Sequence, residues 1–382
     1  MKNYSRREFL RRIGGGALAL GITGRTAFSL PKLLFPGDSG PFDMLVVGDS
    51  LVWGQGLEEK DKFYTLTKKW LETEVFAGNR PVNLKVKANS GATIYLHEFE
   101  AGALKMAEET EVKDYHPEVN IGLPTMTKQA ELALEEYEKE GKTPGEVDLV
   151  MLTGGITDIT VAEVLSSDKS DEQLKEDIVK YCNEAMYVFL ENSARTFPNA
   201  LFAVIGYYPL LSDQASTKKV MNTFLELYKF PRAFKFLINN IIGKQFFKGA
   251  RDKAIRRSRI WTENSGRELR KAVERVNARF GRRRAVFIES PITEENSFAT
   301  KEPLVWNMGK NGRSEDPFYD VRHRECKEEI RELEESTDIK YPIRFCELAG
   351  LGHPNPQGAK AYAEAIEAAL KPLIMAKTAK VS

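Results

Sequence analysis

Ser50 and His353 are the residues whose types and settings could do chemistry together. Ser50 follows Gly48 and Asp49 at the end of the apolar run DMLVV. His353 lies in LAGLGHPNPQGAKAYAEAI, just before a helical pattern. A serine hydroxyl attacks an acyl carbon when a base takes its proton and donors face the developing oxyanion. Gly48 permits a tight turn, and a strand ending there would hold the hydroxyl at a sheet edge. The same serine could equally cap a helix, and the histidine could be a loop residue fixed by Pro354, Asn355 and Pro356. The chain has only four histidines, and His97, His116 and His323 fall in long or charged connections that read as surface.

The elements that must position these two residues alternate. Strand patterns cover 43–48, 82–88, 147–155, 200–208 and 284–290. Helical spacing covers 61–76, 125–141, 171–197, 268–281 and 356–374. Strands separated by helices predict a parallel sheet with right-handed crossovers. The expectation is one three-layer α/β/α sandwich of about five strands, spanning 43–376. Ligands in such sheets bind beyond the carboxyl ends of the strands. Gly48-Asp49-Ser50, Asn89-Ser90-Gly91 and the segment from Gly154 to Asp158 all fall there.

Two segments exceed a minimal sandwich. Residues 210–262 carry aromatics (Phe224, Tyr228, Phe230, Phe234, Phe236, Phe246, Phe247) and then cations. They read either as a segment packed on its own domain or as a lid or membrane-surface contact. Residues 291–345 are polar, with Trp306 and the charged helix CKEEIRELEES. Cys326 and Cys346 flank part of this second insertion and are the better candidate pair among three cysteines.

The N-terminus reads SRREFLRRIGGGALALGITG. Arg6 and Arg7 precede an apolar segment too short and too glycine-rich to span a membrane. The stretch resembles a twin-arginine (Tat) export signal over 1–27, followed by a linker over 28–42. The resemblance implies the Tat export machinery as a partner. It also implies a periplasmic or extracellular location, or a membrane-held one if the signal stays uncleaved. Removing 1–27 takes away six basic residues and one acidic, leaving 50 against 54. That balance gives no footing for nucleic-acid binding. No metal-ligand spacing and no phosphate-binding loop is present, so neither a metal nor a nucleotide cofactor is expected.

Four blocks in order resemble the SGNH (GDSL) hydrolase family of esterases and lipases. They are Gly48-Asp49-Ser50-Leu51, Asn89-Ser90-Gly91, Gly155-Ile156-Thr157-Asp158 and Gly350-Leu351-Gly352-His353-Pro354. The resemblance implies a flavodoxin-like sandwich and an exported serine hydrolase acting on a small-molecule or cell-envelope carboxylic ester. Ser50 would be the nucleophile and His353 the base. The oxyanion hole would take the backbone N–H groups of Ser50 and Gly91 and a side-chain donor at Thr157. Asp49 and Asp158 match the family's acidic positions and are pocket candidates, with capping and loop hydrogen bonding as the alternative; Trp53, close to Ser50 in sequence, either lines the pocket or packs beneath the loop. Two departures stand out. Thr157 replaces the family's Asn, and Gly350 replaces the triad Asp. An oxyanion donor contributes roughly 10²–10³ in rate, and a triad acid roughly 10⁴. Without that acid, the imidazole is left to a backbone carbonyl, a water, or a carboxylate such as Glu347 or Asp158. The departures also fit a catalytically impaired binding protein on the same scaffold. An O-acyltransferase on an envelope glycan would use the same acyl-enzyme.

Overall fold

Five short runs form one parallel sheet in the computed structural model, which describes residues 40–97, 115–166, 169–228, 241–336 and 340–378. The strands are β1 (Phe42–Gly48), β2 (Val82–Val86), β3 (Val147–Thr153), β4 (Leu201–Ile205) and β5 (Ala285–Ile288). Their order is β2-β1-β3-β4-β5, with every pairing parallel. Strands β1 and β3 are buried at every residue. A parallel strand covered on both faces needs such a continuous apolar run. The sequence reading of a five-stranded α/β/α sandwich therefore holds.

Helices cover both faces. Helix α1 (Ser50–Trp53) is a single turn at the end of β1, followed by α2 (Phe63–Trp70). Next come α3 (Met126–Lys139), the short α4 (Ile156–Ile159), α5 (Asp171–Ile178) and α6 (Met186–Thr196), the last two joined by a π-helical stretch. Then follow α7 (Thr217–Leu227), α8 (Ile241–Phe280), α9 (Tyr319–Ser336), α10 (Ile343–Glu347) and α11 (Pro356–Thr378). One face carries α2 packed against α11. The other carries α8 against α5 and α6, with Met126 of α3 and Met186 of α6 both beside Gly154. The chain adds β2 on one side of β1 and then crosses to add β3 on the other, and it is at such a reversal of strand order that these sheets bind ligands.

Helix α8 is longer than the sequence pattern over 268–281 predicts. It runs for 40 residues. Its inner face explains why the start was not legible, because Arg257, Ser258, Asn264 and Ser265 are buried beside Ile255 and Trp261. A buried stripe that mixes polar and apolar residues does not read as amphipathic. Arg257 is fully buried because its guanidinium donates to the carbonyls of Val164, Glu163 and Lys169. This part of the 210–262 insertion packs on its own domain.

The export signal expected over 1–27 lies outside the described residues. So do the linker up to residue 39 and Phe230, Phe234 and Phe236 of the aromatic insertion. Among the described residues no helix is long and apolar enough to cross a membrane. Cys326 and Cys346 form a disulfide that joins α9 to α10, and Cys182 is a buried free thiol.

Candidate active site

The turn that delivers Ser50 begins at Gly48. Its φ is +136°, and a β-carbon there would stand 2.4 Å from the Thr153 carbonyl oxygen of the neighbouring strand. Glycine is required on both counts. The Gln129 side chain of α3 then brackets the same residue. Its Oε1 accepts from Gly48 N at 2.7 Å, and its Nε2 donates to the Gly48 carbonyl at 3.1 Å and to Asn89 Oδ1 at 2.6 Å. Gln129 thus ties the ends of β1 and β2 together. Its position was readable, since it lies on the buried line of α3 with Met126, Ala133 and Tyr137.

Asp49 caps α1. Its Oδ1 accepts from Leu51 N at 3.0 Å and from the Thr153 hydroxyl at 2.6 Å, while Oδ2 accepts from the Tyr207 hydroxyl at 2.5 Å. The carboxylate is fully buried, and burial pushes its pKa up against these three hydrogen bonds. Asp49 therefore builds the turn under Ser50, the capping role that its sequence setting also offered.

Ser50 itself is 8% exposed. Its Oγ lies 2.8 Å from His353 Nε2. The loop carrying His353 is held by the 291–345 insertion. Trp306 N donates to the His353 carbonyl at 2.8 Å, and Gly352 N donates to the Trp306 carbonyl at 2.9 Å. Asn355 N donates to Leu304 O at 3.0 Å, and Val305 bridges Pro354 in antiparallel fashion. From the sheet side, the Tyr208 hydroxyl donates to the Gly352 carbonyl at 2.7 Å. Asn355 then caps α11, its Oδ1 accepting from Gln357 N and Gly358 N.

His353 is half-buried as a residue, but its Nδ1 is buried and has no hydrogen-bond partner among the described residues. Burial pulls the imidazole pKa down to about 4, and the Arg322 guanidinium acts in the same direction. The Ala349 carbonyl, Asp316 and the Leu351 carbonyl oppose that shift. At neutral pH the ring is uncharged and can accept a proton. Neither carboxylate suggested by the sequence orients it. Glu347 pairs with Arg344 at 3.1 Å and with His323 at 2.9 Å. Asp158 accepts from Ile94 N at 3.2 Å and faces His97 Nε2 at 3.4 Å. His97 is thus tied to the site's edge and is not a free surface residue.

The expected oxyanion donors fall into two groups. The N–H groups of Ser50 and Gly91 have no acceptor among the described residues. Gly91 has a φ of +81°, and the Asn120 side-chain oxygen would stand 2.3 Å from a β-carbon there. Thr157, in contrast, donates its hydroxyl to the Ala92 carbonyl at 2.5 Å, so its one proton is engaged.

Trp53 faces two charged groups. Its Nε1 donates to Glu118 Oε1 at 3.0 Å, and the Lys62 ammonium sits 3.0 Å from its ring centroid. Burial holds the Lys62 pKa down at about 8. Glu118 also accepts from Gly56 N at 3.1 Å and from Arg322 Nη1 at 2.6 Å. Arg322 Nη2 donates to Asp316 Oδ2 at 2.5 Å, and its Nε donates to the Glu347 carbonyl at 3.3 Å. Glu118, Arg322 and Asp316 were not singled out from sequence. The signal available was on α9, where Arg322 continues the buried stripe of Cys326, Ile330 and Leu333.

No family model matches the chain, and no curated protein sequence matches it. Among solved structures, it aligns with an extracellular lipase from Streptomyces rimosus at 11% identity and a TM-score of 0.41, covering 86% of this chain and 99% of that one. A phospholipase A1 from Streptomyces albidoflavus NA297 aligns at 12% identity and a TM-score of 0.40, covering 86% and 100%. The lipase Lip_vut3 from a goat rumen metagenome aligns at 16% identity and a TM-score of 0.39, covering 86% and 97%. Likenesses at this level assign no activity, and the functional reading rests on the geometry of Ser50 and His353.

Proposed function

We propose that this chain is a serine ester hydrolase of the SGNH type that forms an acyl-enzyme at Ser50. The observation that carries the reading is the 2.8 Å contact between Ser50 Oγ and His353 Nε2 at the carboxyl end of β1. His353 Nε2 takes the hydroxyl proton as Ser50 Oγ bonds to the ester carbon. The carbonyl oxygen, now an anion, accepts from the N–H groups of Ser50 and Gly91. Collapse of the tetrahedral intermediate breaks the bond to the alcohol oxygen, which leaves with the proton from His353. A water, deprotonated in turn by His353, releases the acid and restores Ser50. Two backbone donors carry the oxyanion in this scheme, because the Thr157 proton is engaged elsewhere. The twin arginines Arg6 and Arg7 support export of the enzyme, which cell fractionation of an Arg6→Lys, Arg7→Lys variant tests.

The test of the activity is reaction of the purified chain with a fluorophosphonate, beside Ser50→Ala and His353→Ala. Labelling of the wild type, lost in the first variant and strongly slowed in the second, is the expected result. A folded wild type that does not react ends the hydrolase reading in favour of a binding role.

A further inference from the structure

Segment 117–123 bonds to all three stretches that build the site. On the side of the nucleophile, the Glu118 carbonyl accepts from Gln55 Nε2 at 2.9 Å, and the Glu118 carboxylate accepts from Trp53 Nε1 and Gly56 N. At the end of β2, the Pro117 carbonyl accepts from Ser90 N at 2.9 Å and the Leu123 carbonyl from Asn89 Nδ2 at 2.8 Å. Toward the base, Asn120 N donates to Cys346 Sγ at 3.4 Å, in the helix α10 that leads into the His353 loop. These bonds fix the backbone on either side of Asn120.

The Asn120 side chain lies against Gly91. A β-carbon on Gly91 would collide with Asn120 Oδ1 and would stand 2.9 Å from Gly122 N. Gly91 is therefore a glycine for a reason besides its φ of +81°. The missing β-carbon lets a carboxamide approach one of the two backbone oxyanion donors. That carboxamide is unspent. Asn120 is half-buried, and neither its Oδ1 nor its Nδ2 makes a hydrogen bond among the described residues. Thr157 differs, because its hydroxyl is given to the Ala92 carbonyl. The Ser90 hydroxyl is also unpartnered, but Ser90 is only 1% exposed and closed off from a ligand. Asn120 thus brings two unused N–H donors to the edge where Gly91 stands.

We propose that Asn120 is a catalytic residue of the Ser50–His353 site and supplies the side-chain oxyanion donor that Thr157 does not. This rests on Ser50 and His353 being the reactive pair. As Ser50 Oγ bonds to the ester carbon, negative charge gathers on the carbonyl oxygen beside the N–H groups of Ser50 and Gly91. An anion there repels Oδ1 and attracts the amide nitrogen. The terminal torsion of an asparagine is broad, so the carboxamide turns and Nδ2 donates to the oxygen. A hydrogen bond made only to the charged state lowers the barrier without tightening the ground state. No proton transfer and no covalent bond falls to Asn120.

The experiment uses the full chain and reads the rate of Ser50 phosphonylation by a fluorophosphonate, whose phosphoryl oxygen stands in for the carbonyl oxygen. Asn120→Ala removes the donor. Asn120→Asp keeps the shape but puts an acceptor where the donor was. Neither exchange loses a side-chain hydrogen bond, so both variants should unfold at close to the wild-type temperature. The expected result is a loss of about 10²–10³-fold in Asn120→Ala, and one at least as large in Asn120→Asp. A folded Asn120→Ala that reacts within about tenfold of wild type overturns the proposal. So does a folded Asn120→Asp that keeps the wild-type rate beside a slow Asn120→Ala, because the side chain then only packs against Gly91. A wild type that does not react at all ends the hydrolase reading and this proposal with it. A reactive wild type with an indifferent Asn120 ends the proposal alone.

Discussion

Ser50 Oγ and His353 Nε2 lie 2.8 Å apart although 303 positions separate the two residues in the chain. The imidazole sits in a desolvated setting, with its pKa lowered to about 4. An ordinary imidazole titrates near pH 6.5. Only the neutral ring accepts the Ser50 proton, so phosphonylation of Ser50 should be flat between about pH 6 and 8 and fall through about pH 4. The linkage has the same sign. The lowered folded pKa gives stability that is complete above about pH 6.5 and is lost as the pH falls through about 4. A rate profile breaking near pH 6.5 would show that the ring is solvated.

Gly48→Ala should damage both the fold and the site. The new methyl meets the Thr153 carbonyl at 2.4 Å, and the backbone sits at a φ of +136°. Strain of this kind costs about 1–3 kcal/mol before any steric displacement. Urea unfolding should show at least that loss, and the labelling rate should fall with it because α1 starts two residues later.

Thr157→Val tests how many donors the oxyanion has. The hydroxyl is bonded to the Ala92 carbonyl, so its removal should cost about 1 kcal/mol of stability. Phosphonylation should change by less than about tenfold, against the roughly 10²–10³ lost with a true oxyanion donor. A loss in that larger range would mean that the hydroxyl turns toward the substrate on binding.

Glu118→Gln should be among the more damaging exchanges at a residue the motifs never mention. It removes one of two anions from Arg322, which is fully buried, and weakens the anchors of Trp53 and Gly56. Breaking a buried ion pair costs about 3–5 kcal/mol. The lower end is expected because Asp316 remains, and thermal unfolding measures it.

The sheet was legible because each strand is a short apolar run ending on small or polar residues, as DMLVV does before Gly48. The Ser50–His353 pair was legible because a serine at a strand end and a histidine ahead of the last helix are local patterns. The supports of the site were harder to read. Asp316, Arg322 and Glu118 sit in polar stretches of the kind that usually face water, and their burial follows only from mutual pairing across long sequence distances. The start of α8 was hidden for a related reason, since Arg257 and Ser258 occupy positions where a helix reader looks for leucine. The Thr157 hydroxyl was legible as a donor, but its acceptor at Ala92 belongs to another loop.

Arg322 gives the 291–345 segment a standing that alignment by strands and helices would miss. One guanidinium fastens Glu118, Asp316 and the Glu347 carbonyl, and through Glu118 reaches Trp53 and Gly56. A topological diagram would draw the segment as an appendage on a five-stranded core. Energetically it is no appendage, because a trimmed chain would strand Glu118 as a lone anion in the interior. Core and insertion should therefore melt together as one cooperative unit, and no smaller version of this protein is to be had by shortening its loops.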